Sequence, residues 1–286
     1  MARRRWQAYH LKPTRVRCLL GLLLGSVALN IWQADQRVPV PPTAGASISG
    51  IDPSLAGKDV FRVATYNVCR GKGTDGIEDL SRAARLLGDC DIVGINELAG
   101  PSVWGEPNQA EQLGNHLEMG WLYGPNQRRW YRDHFGNGLL SRFDVSAWYN
   151  EPILKGSSLR NLITAHLVVN QKTIVLLITH LDAEQNRDWQ LRHVLEEFQR
   201  YPTAILLGDF NATAGHPLLQ DLLRDSGTID AVQVALGPND RDDRIDWIIL
   251  RGLEVVAGGR EPVGISDHPC LWVDVKFPDP SVGADG

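Results

Sequence analysis

Apolar runs that stop abruptly at an amide, an acid or an imidazole constrain this chain more than any other feature. FRVATYNV delivers Asn67, DIVGINEL delivers Glu97, and IVLLITHLD delivers His180. AILLGDFNA delivers Asp209 and Asn211, DRIDWIIL carries Asp246, and GISDHPCLWV carries Asp267 and His268. The runs are short, β-branched and bounded by Gly, Asp or Asn, the pattern of strands. The predicted strands are Phe61–Tyr66, Ile92–Asn96, Gly138–Leu140, Leu162–Val169, Thr173–Thr179, Ala204–Leu207, Trp247–Leu250 and Leu271–Phe277. A buried strand that ends in a carboxylate is costly unless the group is paired or binds a cation. One such ending is an ordinary turn or cap, but six exceed turn chemistry. Together they supply oxygen ligands for a hard divalent cation, two imidazoles, and a spare carboxylate to orient one of them.

Helical spacing separates some of these strands. Ile77, Leu80, Ala84 and Leu87 mark one helix, with Asp75 and Glu78 in capping-box positions. Trp189, Leu191, Val194, Leu195 and Phe198 mark a second. Pro217 with Leu218, Leu219, Leu222 and Leu223 marks a third, with proline near its first turn. Other strands connect without a helix, as at Asn170-Gln171, which reads as a hairpin turn. Such mixed connections predict a layered α/β (α+β) sandwich rather than a doubly wound sheet. No internal repeat is present.

The ends of the chain differ from its middle. Residues 1–17 carry six bases (Arg3, Arg4, Arg5, Lys12, Arg15, Arg17) and no acid, so the rest is more acidic than the net charge of −5 suggests. An acidic domain does not attract polyanions by its overall field. Cys18 to Ala34 is uncharged and would span about 26 Å as a helix, the low end for crossing a bilayer. Bases before it and few after it predict a cytoplasmic N-terminus with the bulk outside. Two readings of residues 1–34 fit: an uncleaved anchor, preferred because apolar residues continue to Trp32, or a signal peptide cleaved near Ala28. Residues 35–58 hold Pro39, Pro41, Pro42 and Pro53 and read as a linker. The expected domain is 59–277, with a loose tail over 278–286. Beyond Cys18 there are three cysteines, Cys69, Cys90 and Cys270, and no CxxC; neither a disulfide framework nor a zinc knuckle is expected. No GxSxG, HExxH or Walker-type phosphate loop occurs.

The ordered set YNV, INE, GNGLLSR, THLD, GDFN, IDWI and SDH resembles the endonuclease/exonuclease/phosphatase superfamily over about residues 61–276. The resemblance implies a four-layer sandwich of two packed mixed β-sheets flanked by helices. It also implies hydrolysis of a phosphate ester that depends on Mg²⁺, with Mn²⁺ as an alternative. By position, Glu97 matches the principal metal ligand, with Asn67 beside it and Asp267 at the metal site. Asp209 and Asn211 match the pair that orients the attacking water, or holds a second metal and the phosphate. His268 matches a general base or phosphate-binding imidazole, oriented by Asp246. His180 matches the imidazole that protonates the leaving group or stabilises the phosphate. Asn137 matches a phosphate-facing amide, and Arg142 and Arg160 are further phosphate-binding candidates.

The substrate is not written in these motifs. In PNQRRWYRDHFGNG, Arg128, Arg129 and Arg132 interleave with Trp130, Tyr131 and Phe135, a combination that can grip phosphate and stack on a base or sugar. The expected function is a phosphodiesterase or nuclease, exported and membrane-tethered. Phospholipase C-type or inositol-phosphate phosphatase activity is the alternative, and a non-catalytic surface-binding domain on the same fold is a third. Partners are then a phosphate ester (nucleic acid, lipid headgroup or inositol phosphate) and a membrane through the N-terminal segment, with no protein partner expected.

Overall fold

A strand such as Ala204–Asp209, buried at every position, needs cover on both faces. The computed structural model describes residues 13–45, 47–49, 57–130, 132–156, 158–237 and 243–279. Two seven-stranded mixed sheets supply each other's cover. The first runs β1 (Val38–Pro39), β5 (Gly120–Arg129), β6 (Arg132–Ser141), β4 (Ile92–Ala99), β3 (Val60–Asn67), β14 (Cys270–Lys276), β13 (Glu254–Glu261). The second runs β11 (Thr228–Asp230), β12 (Asp246–Arg251), β10 (Ala204–Asp209), β9 (Lys172–His180), β8 (Arg160–Val169), β7 (Asp144–Ile153), β2 (Thr43–Gly45). The β3–β4 and β9–β10 pairs are parallel and the other described pairs antiparallel, so the chain is neither a doubly wound sheet nor a simple meander.

Alternation along the strands builds four layers. Ile205, Leu207 and Ile248 meet Val63, Ile92 and Leu271 between the sheets. Their neighbours Leu206 and Ile249 point outward, onto α4 (Arg187–Phe198) and α5 (Pro217–Leu222), through Leu191, Val194, Phe198 and Leu219. On the far side Ala64, Val93 and Ile95 pack beneath α2 (Leu80–Leu87) and α3 (Gln109–Leu117). The sheets approach closely at Gly94, where a Cβ would lie 1.8 Å from Leu207 Cδ1. Asn170 and Gln171 both have positive φ, 50° and 64°, as a tight right-twisted hairpin requires.

Three expectations need correction. The first helix begins at Leu80, capped by Asp79, which accepts from Ser81 N; Asp75 instead accepts from Ile77 N in a turn before it. The strand through Asn96 continues to Ala99. Part of the stretch read as a linker is paired: β1 adds to the edge strand β5, β2 to the edge strand β7, and Ile48 bridges Val145. Pro39 fits because an edge strand tolerates a missing donor. These pairings attach Val38–Pro39, Thr43–Gly45 and Ile48 to the sheets ahead of residue 59. Ahead of β1, α1 (Pro13–Asp35) is long and apolar enough over Val16–Asp35 to cross a membrane, and its side chains stay exposed from Val16 to Gln33. The bases Arg3, Arg4, Arg5 and Lys12 and most of the tail lie outside the described residues.

Candidate active site

Topology brings the polar strand ends to one end of the sandwich. Parallel pairing sets the C-terminal ends of β3 and β4 side by side, placing Asn67 next to Asn96. The same holds for β9 and β10, where His180 is the register partner of Asp209. Antiparallel β12 begins opposite, with Asp246 across from Asp209. His268 precedes β14, which is antiparallel to β3, and so arrives at the same end. A β-bulge at Asn96–Glu97, where the register with β6 shifts and Glu97 takes φ 60°, turns these neighbours different ways. Glu97 faces a cleft of about 1090 Å³, together with His180, Asp209, Asn211, Arg160 and His268.

The floor of the cleft is closely bonded. His268 Nδ1 is 2.8 Å from Asp246 Oδ2. An ionised carboxylate only accepts, so the proton sits on Nδ1 and Nε2 points to the cleft, 3.7 Å from Asp209 Oδ2. Asn67 Nδ2 donates to Asp209 Oδ2 at 3.1 Å and to Glu97 Oε1 at 3.3 Å. His180 lies between the same acids, Nε2 3.4 Å from Asp209 and Nδ1 3.9 Å from Glu97. Asn211, at φ 50°, donates its backbone N–H to Asp209 Oδ1 and its amide to Leu181 O. Arg187 donates to Asn211 O and fixes that turn. Ser266 Oγ donates to Asn67 O at 2.7 Å and ties the His268 loop to β3.

This packing shifts the titrations. Burial alone lowers the His268 pKa, but the hydrogen bond and charge of Asp246, with Asp209 and Asp267, outweigh it and push it to about 9. Burial, then the nearby Asp246 charge, pushes the Asp209 carboxyl up to about 6. Burial, with Arg160 and His268, holds the His180 imidazole well below its ordinary value, so this ring is neutral. Its Nδ1 and Asp246 Oδ1 are buried with no hydrogen-bond partner. Crowded carboxylates with orphaned buried atoms suit a cation, and the donors Glu97, Asn67 and Asp209 are of the hard oxygen type that Mg²⁺ or Mn²⁺ takes. Asp209, Asp246 and His268 also lie within chelating distance of one another.

Other expected residues lie elsewhere. Arg142 follows the opposite end of β6, where it donates to Cys90 O and Gly88 O; it locks a loop and is far from the cleft. Asn137 is fully buried and faces no substrate space: it accepts from Asn96 Nδ2 at 2.9 Å and donates to Asn161 Oδ1 at 2.7 Å. Asn161 in turn donates to Asn150 Oδ1 and Gly124 O. This amide chain crosses from one sheet to the other, and Asn96 also binds Asp209 N. Arg160 lines the cleft but is paired with Asp182 at 2.9 Å. Asp267 is exposed, accepts from Ser266 Oγ, and shares Cys69 as a neighbour with Glu97, lying outside the cleft lining. The arginines of the β5–β6 hairpin are tied down: Arg128 to Asp133, Arg129 to Asp35, Arg132 to Pro101 O. From that segment only Gln127 and Phe135 reach the cleft, with Arg70 stacked over Phe135; Tyr131 lies outside the described residues. All four cysteines are free. Sequence reasoning missed Asn96, Asn161, Arg70 and Arg187; only Asn96 carried a signal, inside INE.

The family model for the Endonuclease/Exonuclease/phosphatase family matches residues 64–268. The chain belongs to this family. Solved members share its fold at low identity. A family protein from Beutenbergia cavernae is 22% identical, with TM-score 0.63, covering 77% of this chain and 72% of that one. One from Bacteroides vulgatus is 18% identical, with TM-score 0.62, over 77% and 99%. D. rerio TDP2, solved with a single strand DNA product, is 18% identical, with TM-score 0.57, over 76% and 100%. No significant match to a curated protein is found. The family consists generally of hydrolytic phosphoesterases, typically dependent on a divalent metal.

Proposed function

We propose that this family member is a Mg²⁺- or Mn²⁺-dependent phosphodiesterase, exported and held at a membrane by α1. The observation that carries the reading is the 2.8 Å His268–Asp246 pair set against Asp209, Asn67 and Glu97 on one cleft floor. Glu97 and Asn67 would hold the metal, with Asp209 facing it and Asp267 approaching from outside. When bound, the metal supplies Lewis-acid stabilisation of the phosphate charge.

The chain's own groups then divide the work. Asn211 and Asp209 orient the attacking water. The charged His268 ring binds a phosphate oxygen; its neutral form, favoured once a cation shares the cleft, accepts a proton at Nε2 while Asp246 holds Nδ1. The neutral state of His180 supports phosphate stabilisation over proton donation to the leaving oxygen. Arg160, steadied by Asp182, adds positive charge at the wall. The test is Glu97→Gln in the full chain, assayed on bis-para-nitrophenyl phosphate. Hydrolysis should vanish with the thermal midpoint retained, and EDTA should reproduce the loss in the unaltered protein. Full activity of the variant, or of the protein in EDTA, rejects the proposal.

A further inference from the structure

The apolar helix and the cleft are contiguous. Asp35, the last residue of α1, lines the cleft, and so do Gln36 and Arg37. The helix end is pinned there: Ala34 is buried, its carbonyl accepts from Trp130 N at the β5–β6 hairpin tip, and Asp35 pairs with Arg129. No flexible spacer therefore separates a bilayer-length helix from the catalytic mouth. A helix of this length and composition, with every large apolar side chain exposed from Val16 to Trp32, is unaccounted for in water and is the natural occupant of a bilayer.

The surface around the helix end has the composition of a membrane interface. Trp32 on the last turns of α1 is 60% exposed, and Trp130 at the hairpin tip is 42% exposed. Trp104, in the loop after β4, is 90% exposed beside Val103 at 64%. That loop is tied to the hairpin by Arg132, which donates to Pro101 O. Tryptophans gather at the lipid–water boundary because an apolar ring with one polar N–H suits that gradient. Two cleft-lining cations, Arg37 and Arg70, have no carboxylate partner among the described residues. Arg37 follows the helix by two residues, and Arg70 stacks on Phe135, the register partner of Gln127, which itself pairs with Pro39. Positive charge thus stands between the helix end and the catalytic floor, where an anionic headgroup would enter.

We infer that the cleft mouth is a membrane-contact surface: with α1 in a bilayer, Trp32, Trp104 and Trp130 sit at the interface, and the cleft takes the phosphodiester of a phospholipid headgroup. This rests on the phosphodiesterase reading above. In the reaction, water oxygen bonds to phosphorus, one P–O ester bond breaks, and the departing oxygen takes a proton. The products are a phosphate monoester and an alcohol.

The experiment uses the full chain with Mg²⁺, reconstituted into vesicles of phosphatidylglycerol and phosphatidylcholine, with phosphorus NMR following conversion of diester to monoester. Bis-para-nitrophenyl phosphate and a single-stranded oligonucleotide are assayed in parallel. Vesicle phospholipid should be hydrolysed. Trp104→Ala combined with Trp130→Ala should lower that turnover about tenfold while leaving bis-para-nitrophenyl phosphate hydrolysis within about twofold. Hydrolysis of the soluble diester or the oligonucleotide with intact phospholipid overturns the inference and leaves the phosphodiesterase reading standing. Equal vesicle activity in the double variant overturns the contact surface. Hydrolysis of none of the three substrates overturns both.

Discussion

The floor and the rim of the cleft are built by different means. On the floor, Asn67, Glu97, His180, Asp209, Asp246 and His268 stand at strand ends whose register is set by two buried sheets, and an amide chain from Asn96 to Asn150 joins those sheets beneath them. The rim is made of a hairpin tip, a loop and the stretch after α1, joined mainly by half-exposed ion pairs such as Arg129–Asp35 and Arg128–Asp133. Floor groups can be held to within hydrogen-bond tolerance because many contacts over-determine them. Rim groups can vary without disturbing the core. The chemistry common to a family sits on the first kind of support, and the choice of substrate on the second.

Breaking the floor should have the largest effect. His268→Ala should lower kcat by roughly 10²–10⁴-fold, and Asp246→Asn by less, because it leaves the ring in place. The double variant should be little worse than His268→Ala alone, since the two act as a unit. Multiplying effects in that cycle would mean that Asp246 works elsewhere.

Next comes the amide chain. Asn161→Leu leaves Asn137 Nδ2, Asn150 Oδ1 and Gly124 O without this partner in a buried place, and should destabilise the fold by about 2–4 kcal/mol in urea titration. A change under about 0.5 kcal/mol would show the chain to be incidental.

Proton linkage offers a subtler probe. The folded Asp209 carboxyl is raised to about 6 from an ordinary value near 4, so the folded chain holds a proton the unfolded chain has lost. In EDTA, stability should therefore fall as pH rises through that window. The His268 imidazolium, raised to about 9, contributes stability that is full below about 6.5 and lost as pH passes 9. The Asp209 proton is held at pH 5 and lost at pH 8, and a cation binds only the ionised carboxylate, so Mn²⁺ should raise the thermal midpoint more at pH 8 than at pH 5. An equal shift at both values would place the metal away from Asp209.

The smallest effect belongs to the rim. Asp35→Ala removes an exposed ion pair and should change stability by less than about 1 kcal/mol, with the difference vanishing in high salt.

The strands legible in sequence were fully buried apolar runs, such as Ala204–Asp209, or runs that alternate over one buried face, such as Cys270–Lys276. Gly120–Arg129 contains glycine, proline and polar residues, Asp144–Ile153 is half exposed, and Glu254–Glu261 is an exposed edge strand with two glycines. Their pairing is set by distant partners that leave no local period. The same limit explains the site. Strand-end residues such as Asp209 and His268 were legible because a charge stands out against an apolar run. Asn137 and Arg142 occupied suggestive positions in one motif, yet one turned into the sheet interface and the other capped a loop at the far end.

The short strands β1 and β2 carry a consequence for handling the protein. Each covers the open edge of a different sheet, Val38–Pro39 along β5 and Thr43–Gly45 along β7, and Gly45 lies flat beneath the Trp148 indole, where any side chain would collide. A chain cut back to residue 59 would bare the backbone N–H and C=O groups of β5 and β7 that these strands now cover. Exposed edges of that kind recruit strands from other molecules. The short strands that look like dispensable spacer in sequence act as selvedge on both sheets, and a chain that starts ahead of Val38 keeps both edges covered.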